Sequence, residues 1–473
     1  MDTQDLWTSD AVRLRELLVR KEVSSREVLA AFLARIEQAN PAVNAIVTTC
    51  PEEAELAARR ADDALARTGE PLGPLHGLPV AHKDLLDTRG IRTTYGSRAF
   101  AEHVPQADSL TVEQYRAAGA IMVGKTNTPE FGAGSHTRNE VFGTTRNPHD
   151  LTRSAGGSSG GAAAALAAGM LPIADGSDMG GSLRNPASFC NVVGLRPTHG
   201  RVPSWPGTFP QFPYVTNGAM GRSVDDVALQ MQVLNAADPR CQVAVPVTSF
   251  ALEADAAVPG TVVAVDADLD GLPVDPAVRK VLAGVAGVLA GLGCEVREAT
   301  PGFAGADDAF ETWRAWYQVL SFGELVDQRR EELGPNIVWN VDQGREVSGA
   351  DLVRAERNRM AVVERAREFM TRHELLICPV SQVPPFDAEL RYPAAVDGVP
   401  SRHYLDWMRA CSRITVTGLP AASVPFGFTD DGLPVGVQVV GRPGADADVL
   451  RFAGVLQEAA TGSRIAPVVR NPR

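Results

Sequence analysis

Apolar positions recur at helical spacing from the start of the chain. Leu14, Leu17 and Leu18 share one face of a helix that Ser9 is expected to cap. Ser24 and Glu27 form a capping-box pattern, and Leu29, Phe32, Leu33 and Ile36 then follow on one face, with Asn40–Pro41 predicted to end that helix. Residues 54–66 read as a third, alanine-rich helix, and PLGPLHGLP as a turn. Strand-like and helical runs then alternate. Residues 79–82 predict a short strand delivering Lys83 at its end, followed by a helix over 109–118, a strand over 121–124 and a helix over 160–168. Residues 261–267 read as a buried strand before a helix over 276–292. Near the C-terminus two apolar runs flank Asp430–Asp431–Gly432, a hairpin signal. The alternation predicts an α/β fold, and the hairpin makes its sheet mixed.

Composition narrows this picture. The length corresponds to about three domains of roughly 150 residues each. No polar Gly/Ser linker, charge run or internal repeat divides the chain, so residues 1–473 are read as one domain. A formal net charge of −12 argues against a broad nucleic-acid footprint, which needs clustered Lys and Arg. The six cysteines are scattered without CxxC spacing and read as small buried hydrophobes in a reducing compartment. MDTQDLWTSD lacks a signal-peptide core, and the most apolar stretch, 162–174, is broken by Pro172 and shorter than the ~20 residues a bilayer needs. The expectation is a cytoplasmic protein without a membrane span.

Chemistry concentrates in residues 153–197. Ser158 and Ser182 each sit in a run of glycines, and Lys83 lies upstream in LPVAHKDLLDT. Glycine beside a reactive serine lets backbone N–H groups approach an oxyanion without Cβ crowding. Taken alone, GGSSGG also fits a flexible turn or an anion-binding loop, and a lysine before an aspartate is ordinarily a solvated pair. GGSSGG lacks the Lys–Ser/Thr ending of a phosphate loop. His82, His136 and His199 are the histidines near these segments; none belongs to a GxSxG elbow, and strand alternation points His82 away from Lys83. The eight histidines show no HExxH or paired spacing, so no metal site is expected.

The ordered set GLPVAHKD (77–84), GKTNTPEFG (124–132), TRNP (145–148), GGSSGG (156–161), GSDMGGSLRNPA (176–187) and GLRPTHGRV (194–202), followed by GLPAASVPFG (418–427) and GLPVGVQVVG (432–441), resembles the amidase signature family of serine hydrolases. The pieces frame most of the chain, with a signature core at about 75–202. The resemblance implies an α/β/α sandwich around a mixed sheet and a cofactor-free triad: Ser182 as nucleophile, Lys83 as base, and Ser158 bridging them after a cis peptide bond from Gly157. It implies an oxyanion hole in the N–H groups of Met179, Gly180, Gly181 and Ser182. Asp178 and Arg184 match family positions and read as a pair fixing the turn around Ser182, while Ser154 is placed near Lys83. Thr126, Asn127 and Glu130 read as organisers of a loop beside the pocket.

Acyl specificity is expected from the variable region 303–410. Trp313, Trp316, Tyr317, Phe322 and Trp339 predict an aromatic wall, with Tyr404, Trp407 and Met408 closing the other side and Phe131 and His136 as further pocket residues. The same aromatics also fit plain helix packing. The implied activity is hydrolysis of the C–N bond of a small-molecule amide through a seryl acyl-enzyme, on a compact apolar or aryl amide, hydrazide or anilide. The alternatives are a glutaminase-like subunit of a tRNA-dependent amidotransferase and an esterase or carbamate hydrolase using the same triad. Homodimers are common among relatives, which makes a homodimer one assembly to expect.

Overall fold

The computed structural model describes residues 3–207, 209, 211–243, 245–252 and 258–472. At its centre lies a sheet of eleven strands. In chain order they are β1 (Ile46–Thr49), β2 (Pro79–Lys83), β3 (Ile121–Thr126), β4 (Ile173–Asp178), β5 (Val193–Arg196) and β6 (Thr216–Gly221). These are followed by β7 (Val262–Val265), β8 (Glu295–Glu298), β9 (Leu375–Pro379), β10 (Ala421–Phe428) and β11 (Pro434–Gly441). Their spatial order is β1-β3-β2-β4-β6-β5-β10-β11-β9-β7-β8. β2 runs parallel to β3 and β4, and β7 runs parallel to β8 and β9; the remaining neighbours are antiparallel. The sheet is therefore mixed, and β10 and β11 form the antiparallel pair flanking the Asp-Asp-Gly turn.

Both faces of the sheet are apolar, which is why its strands read as continuous hydrophobic runs. Successive residues alternate between faces: Val80, Ile173, Ile377 and Val439 enter one core cluster. Their neighbours Ala81 and Ala174 enter a second, and Leu376, Cys378 and Val440 a third. Helices must cover each face, giving an α/β fold. The first cluster takes Leu14 and Leu18 from helix Ala11–Val19, Val28 and Phe32 from Ser25–Val43, and Leu450 and Leu456 from Asp446–Thr461. The second takes all six non-glycine residues of Gly160–Ala167, a helix with no exposed side.

Some boundaries differ from expectation. Asp10, not Ser9, caps the helix at Ala11, accepting from the Arg13 N–H at 2.6 Å. The Ser24–Glu27 capping box is present, but its helix runs through Pro41 to Val43 and ends at left-handed Asn44. Asn40 still builds the exit: its Oδ1 accepts from the N–H groups of Ala45 and Ile46, both at 2.9 Å. The segment 276–292 is two helices, Pro276–Leu282 and Val285–Gly291, separated by a tight turn at Gly284. The 261–267 strand is shorter than expected, and only Val263 and Ala264 within it are fully buried. No described helix is long and apolar enough to cross a membrane.

Candidate active site

The site forms where neighbouring parallel strands end together, the usual location of ligand sites in open α/β sheets. Lys83 is the last residue of β2, and Ser177 and Asp178 end β4 beside it. Two loops close over these ends. One carries Ser158 and Ser159 into helix Gly160–Ala167, with a cis bond between Gly157 and Ser158. The other carries Gly180, Gly181 and Ser182 toward the short helix Arg184–Phe189. The loops are tied by the Ser159 N–H donating to the Ser182 carbonyl at 3.1 Å.

Lys83 is completely buried, and its Nζ reaches three hydroxyls: Ser158 Oγ at 2.7 Å, Ser159 Oγ at 3.0 Å and Ser177 Oγ at 3.1 Å. Among the described residues no carboxylate is in ion-pair contact with the amine. Burial lowers its pKa from the ordinary 10.5 to about 7, against the opposing pull of Asp178 and Asp175. Asp175 fixes the strand end by accepting the Lys83 backbone N–H at 2.8 Å while its other oxygen holds His82 Nδ1. His82 thus faces away from the three serines.

The turn around Ser182 is built on Asp178. Its carboxylate accepts from the N–H groups of Gly181 at 2.9 Å and Leu183 at 3.1 Å, and from Arg184 Nε and Nη2 at 3.0 and 2.9 Å. Arg196 makes a further contact at 3.3 Å. Burial alone raises this carboxylate's pKa, but the two guanidiniums outweigh it and hold the group ionised well below the usual range. Gly181 departs from the expected oxyanion set, because its N–H is committed to Asp178. Among the described residues the N–H groups of Met179, Gly180 and Ser182 carry no hydrogen bond. Gly181 sits at φ +116°, with a Cβ there only 2.6 Å from Cys411 Cβ.

Ser158 and Ser182 open onto one cavity of about 160 Å³. The amidase family profile matches residues 27–450. The chain belongs to the amidase signature family. It is 36% identical to a glutamyl-tRNA(Gln) amidotransferase subunit of Moorella thermoacetica, over 98% of this chain and 99% of that one. It is 33% identical to an acylamidase of Rhodococcus erythropolis, over 96% of each. Among solved structures it resembles a bacterial aryl acylamidase of the same family with a TM-score of 0.89 and 30% identity, over 96% of both chains. The protein is an amide hydrolase of this family.

The amidase's cavity is walled by Phe131, Phe310, Tyr317, Phe322, Leu405 and Met408, with Arg314 and Gln318 as polar members. Of the aromatic residues expected there, Phe131, Tyr317 and Phe322 line it and five do not; Met408 lines it as expected. Trp313 and Trp316 pack edge to face on each other and against Phe212 and Phe209. Trp339 lies against Tyr404 and His403. Trp407 is sandwiched by Phe189 and Phe386 at 1% exposure, and Tyr404 Oη accepts from Arg314 and Asn340. His136 lines a separate, larger cavity of about 550 Å³ on the far side of the 129–136 loop. Its Nδ1 lies 2.7 Å from Ser154 Oγ, and its Nε2 3.1 Å from the Ala388 carbonyl. Ser154 therefore serves His136 and the Gly156 N–H, and Lys83 finds Ser159 and Ser177 instead. Asn127 and Glu130 brace loops: Asn127 Oδ1 accepts from Asn139 at 2.7 Å, and Glu130 accepts from Ser97 and the Gly334 N–H, each at 2.6 Å. Thr126 is buried at the end of β3.

Ser159 and Ser177 went unsingled in the sequence although each adjoins a signature glycine run. Asp175 carries no sequence signal, since its role comes from strand pairing. Phe310, Arg314, Gln318 and Leu405 all come from the variable region 303–410, where the sequence signal is strongest for the tryptophans.

Proposed function

We propose that this amidase cleaves its substrate through a Ser182 acyl-enzyme, with Lys83 as base and Ser158 as the proton carrier between them. The observation that carries this reading is the fully buried Lys83 amine at 2.7 Å from Ser158 Oγ, with both serines on one cavity. A neutral amine among hydroxyls takes the Ser158 proton as Ser158 takes that of Ser182. Ser182 Oγ then bonds to the carbonyl carbon, and the proton returns along the same path to the departing nitrogen as the C–N bond breaks. Water repeats the cycle to release the acid. The free N–H groups of Met179, Gly180 and Ser182 are the donors for the oxyanion.

The residues walling the cavity favour a compact apolar or aryl acyl group, and the acylamidase and aryl acylamidase relatives support an amide as the bond cleaved. The experiment is amine release from aliphatic and aryl amides, hydrazides and anilides, with and without Ser182→Ala. Glutamine belongs in the panel because the 36% identity to an amidotransferase component favours the second reading, an ammonia-supplying subunit. Turnover of glutamine alone would decide for that reading.

Two further outcomes are expected. Because the base works as the free amine, kcat/KM should rise as pH climbs through about 7 and level off above it. A profile flat from pH 5 to 9 would exclude Lys83 as the base. Gly181→Ala forces a Cβ against Cys411 at an angle that L-residues avoid. Displacing the adjacent donors should reduce kcat by about 10²–10³-fold, and an unchanged kcat would show that this turn tolerates the shift.

A further inference from the structure

Arg314 and Gln318 stand one turn apart on helix Ala306–Arg329, and both line the catalytic cavity. They are 5% and 4% exposed. A guanidinium this deeply buried is ordinarily matched by a carboxylate. Among the described residues Arg314 has none: its two Nη atoms donate to neutral oxygens, Asn340 Oδ1 and Tyr404 Oη, the latter at 2.6 Å. Gln318 Oε1 is buried without a partner among the described residues. The buried carboxylates at this end of the sheet are engaged elsewhere: Asp178 by Arg184 and Arg196, and Asp175 by His82 and the Lys83 N–H.

The geometry points to an anionic group on the substrate as the missing partner: Arg314, with the Gln318 amide beside it, receives a carboxylate carried on the acyl part of the amide. Asn340 and Tyr404 hold the guanidinium in place, and the Gln318 side chain turns its N–H toward the same group. The flanking Phe131, Phe310 and Phe322 fit the short aliphatic or aryl spacer between that carboxylate and the amide carbonyl. The substrate class is then the half-amide of a dicarboxylic acid. This inference rests on the amidase reading above and names its substrate.

The test compares kcat/KM for para-carboxybenzamide with para-methylbenzamide, and for short aliphatic half-amides with methyl-ended amides of equal length. A charge-assisted hydrogen bond made inside the cavity predicts a preference for the acid of roughly 10- to 100-fold. In Arg314→Met that ratio should collapse to near one, and Arg314→Lys should restore part of it. The wild-type ratio decides even if Arg314→Met fails to fold. Equal or better use of the neutral amides, abolished by Ser182→Ala, would overturn the anionic-substrate inference and leave the amidase reading standing. Absence of any Ser182-dependent turnover across the whole panel, glutamine included, would overturn both.

Discussion

Ser182→Ala should abolish turnover while leaving the fold unchanged. The side chain is small, 6% exposed, and only its backbone carbonyl holds the neighbouring loop. Removing Oγ deletes the bond-forming atom, and loss of a serine nucleophile reduces kcat by about 10⁴–10⁶-fold. Lys83→Ala should fall nearly as far. Ser158 would then face Ser159 and Ser177, hydroxyls too weakly basic to take a proton at neutral pH. Because the residues act as a unit, Lys83→Ala/Ser182→Ala should be little slower than Ser182→Ala alone. Amine release in a stopped assay on purified, folded variants checks this. Activity within tenfold of wild type in either single variant would remove that residue from the mechanism.

Asp178→Asn should be the most damaging isosteric change to stability. Asparagine fills the same space but leaves Arg184 and Arg196, both essentially unexposed, without a counter-charge. Breaking a buried pair from one side costs about 3–5 kcal/mol, which corresponds to a fall in Tm on the order of 3–5 °C for a domain of this size. The sign of its pH dependence follows from the depressed pKa. The carboxylate's contribution is complete above the ordinary value of 3.8 and is lost only as pH falls below it. At neutral pH the whole difference is therefore visible by thermal melting. A Tm within a degree of wild type would mean that Gln438, Thr415 and the Cys411 carbonyl, which also accept from Arg184, suffice to hold it.

Local signals carried much of the architecture because they act through neighbours in the chain. The capping box at Ser24 and Glu27, the strand ending at Lys83 and the hairpin between β10 and β11 all depend on residues a few positions apart. The glycine-flanked serines were equally legible, because backbone freedom and close approach are properties of the residue itself. Where a neighbour supplied an alternative, the local signal misled: Asp10 displaced Ser9 as cap, and Asn44 took the helix end assigned to Asn40–Pro41.

What the sequence alone determined is the α/β alternation, the chemistry-bearing segments and their resemblance to one family. Only the tertiary structure decided which side chains meet. Strand pairing brought Asp175 to the Lys83 backbone and Ser177 to its amine, contacts spanning more than ninety positions. Packing turned five of the expected pocket aromatics away from the cavity and left Arg314 and Gln318 lining it. A helical stretch rich in tryptophan specifies a buried face, but which residue looks into a cavity depends on the rotation of that helix against the sheet. That rotation is set by contacts with Phe209, Phe212 and Tyr404, which lie far away in the chain.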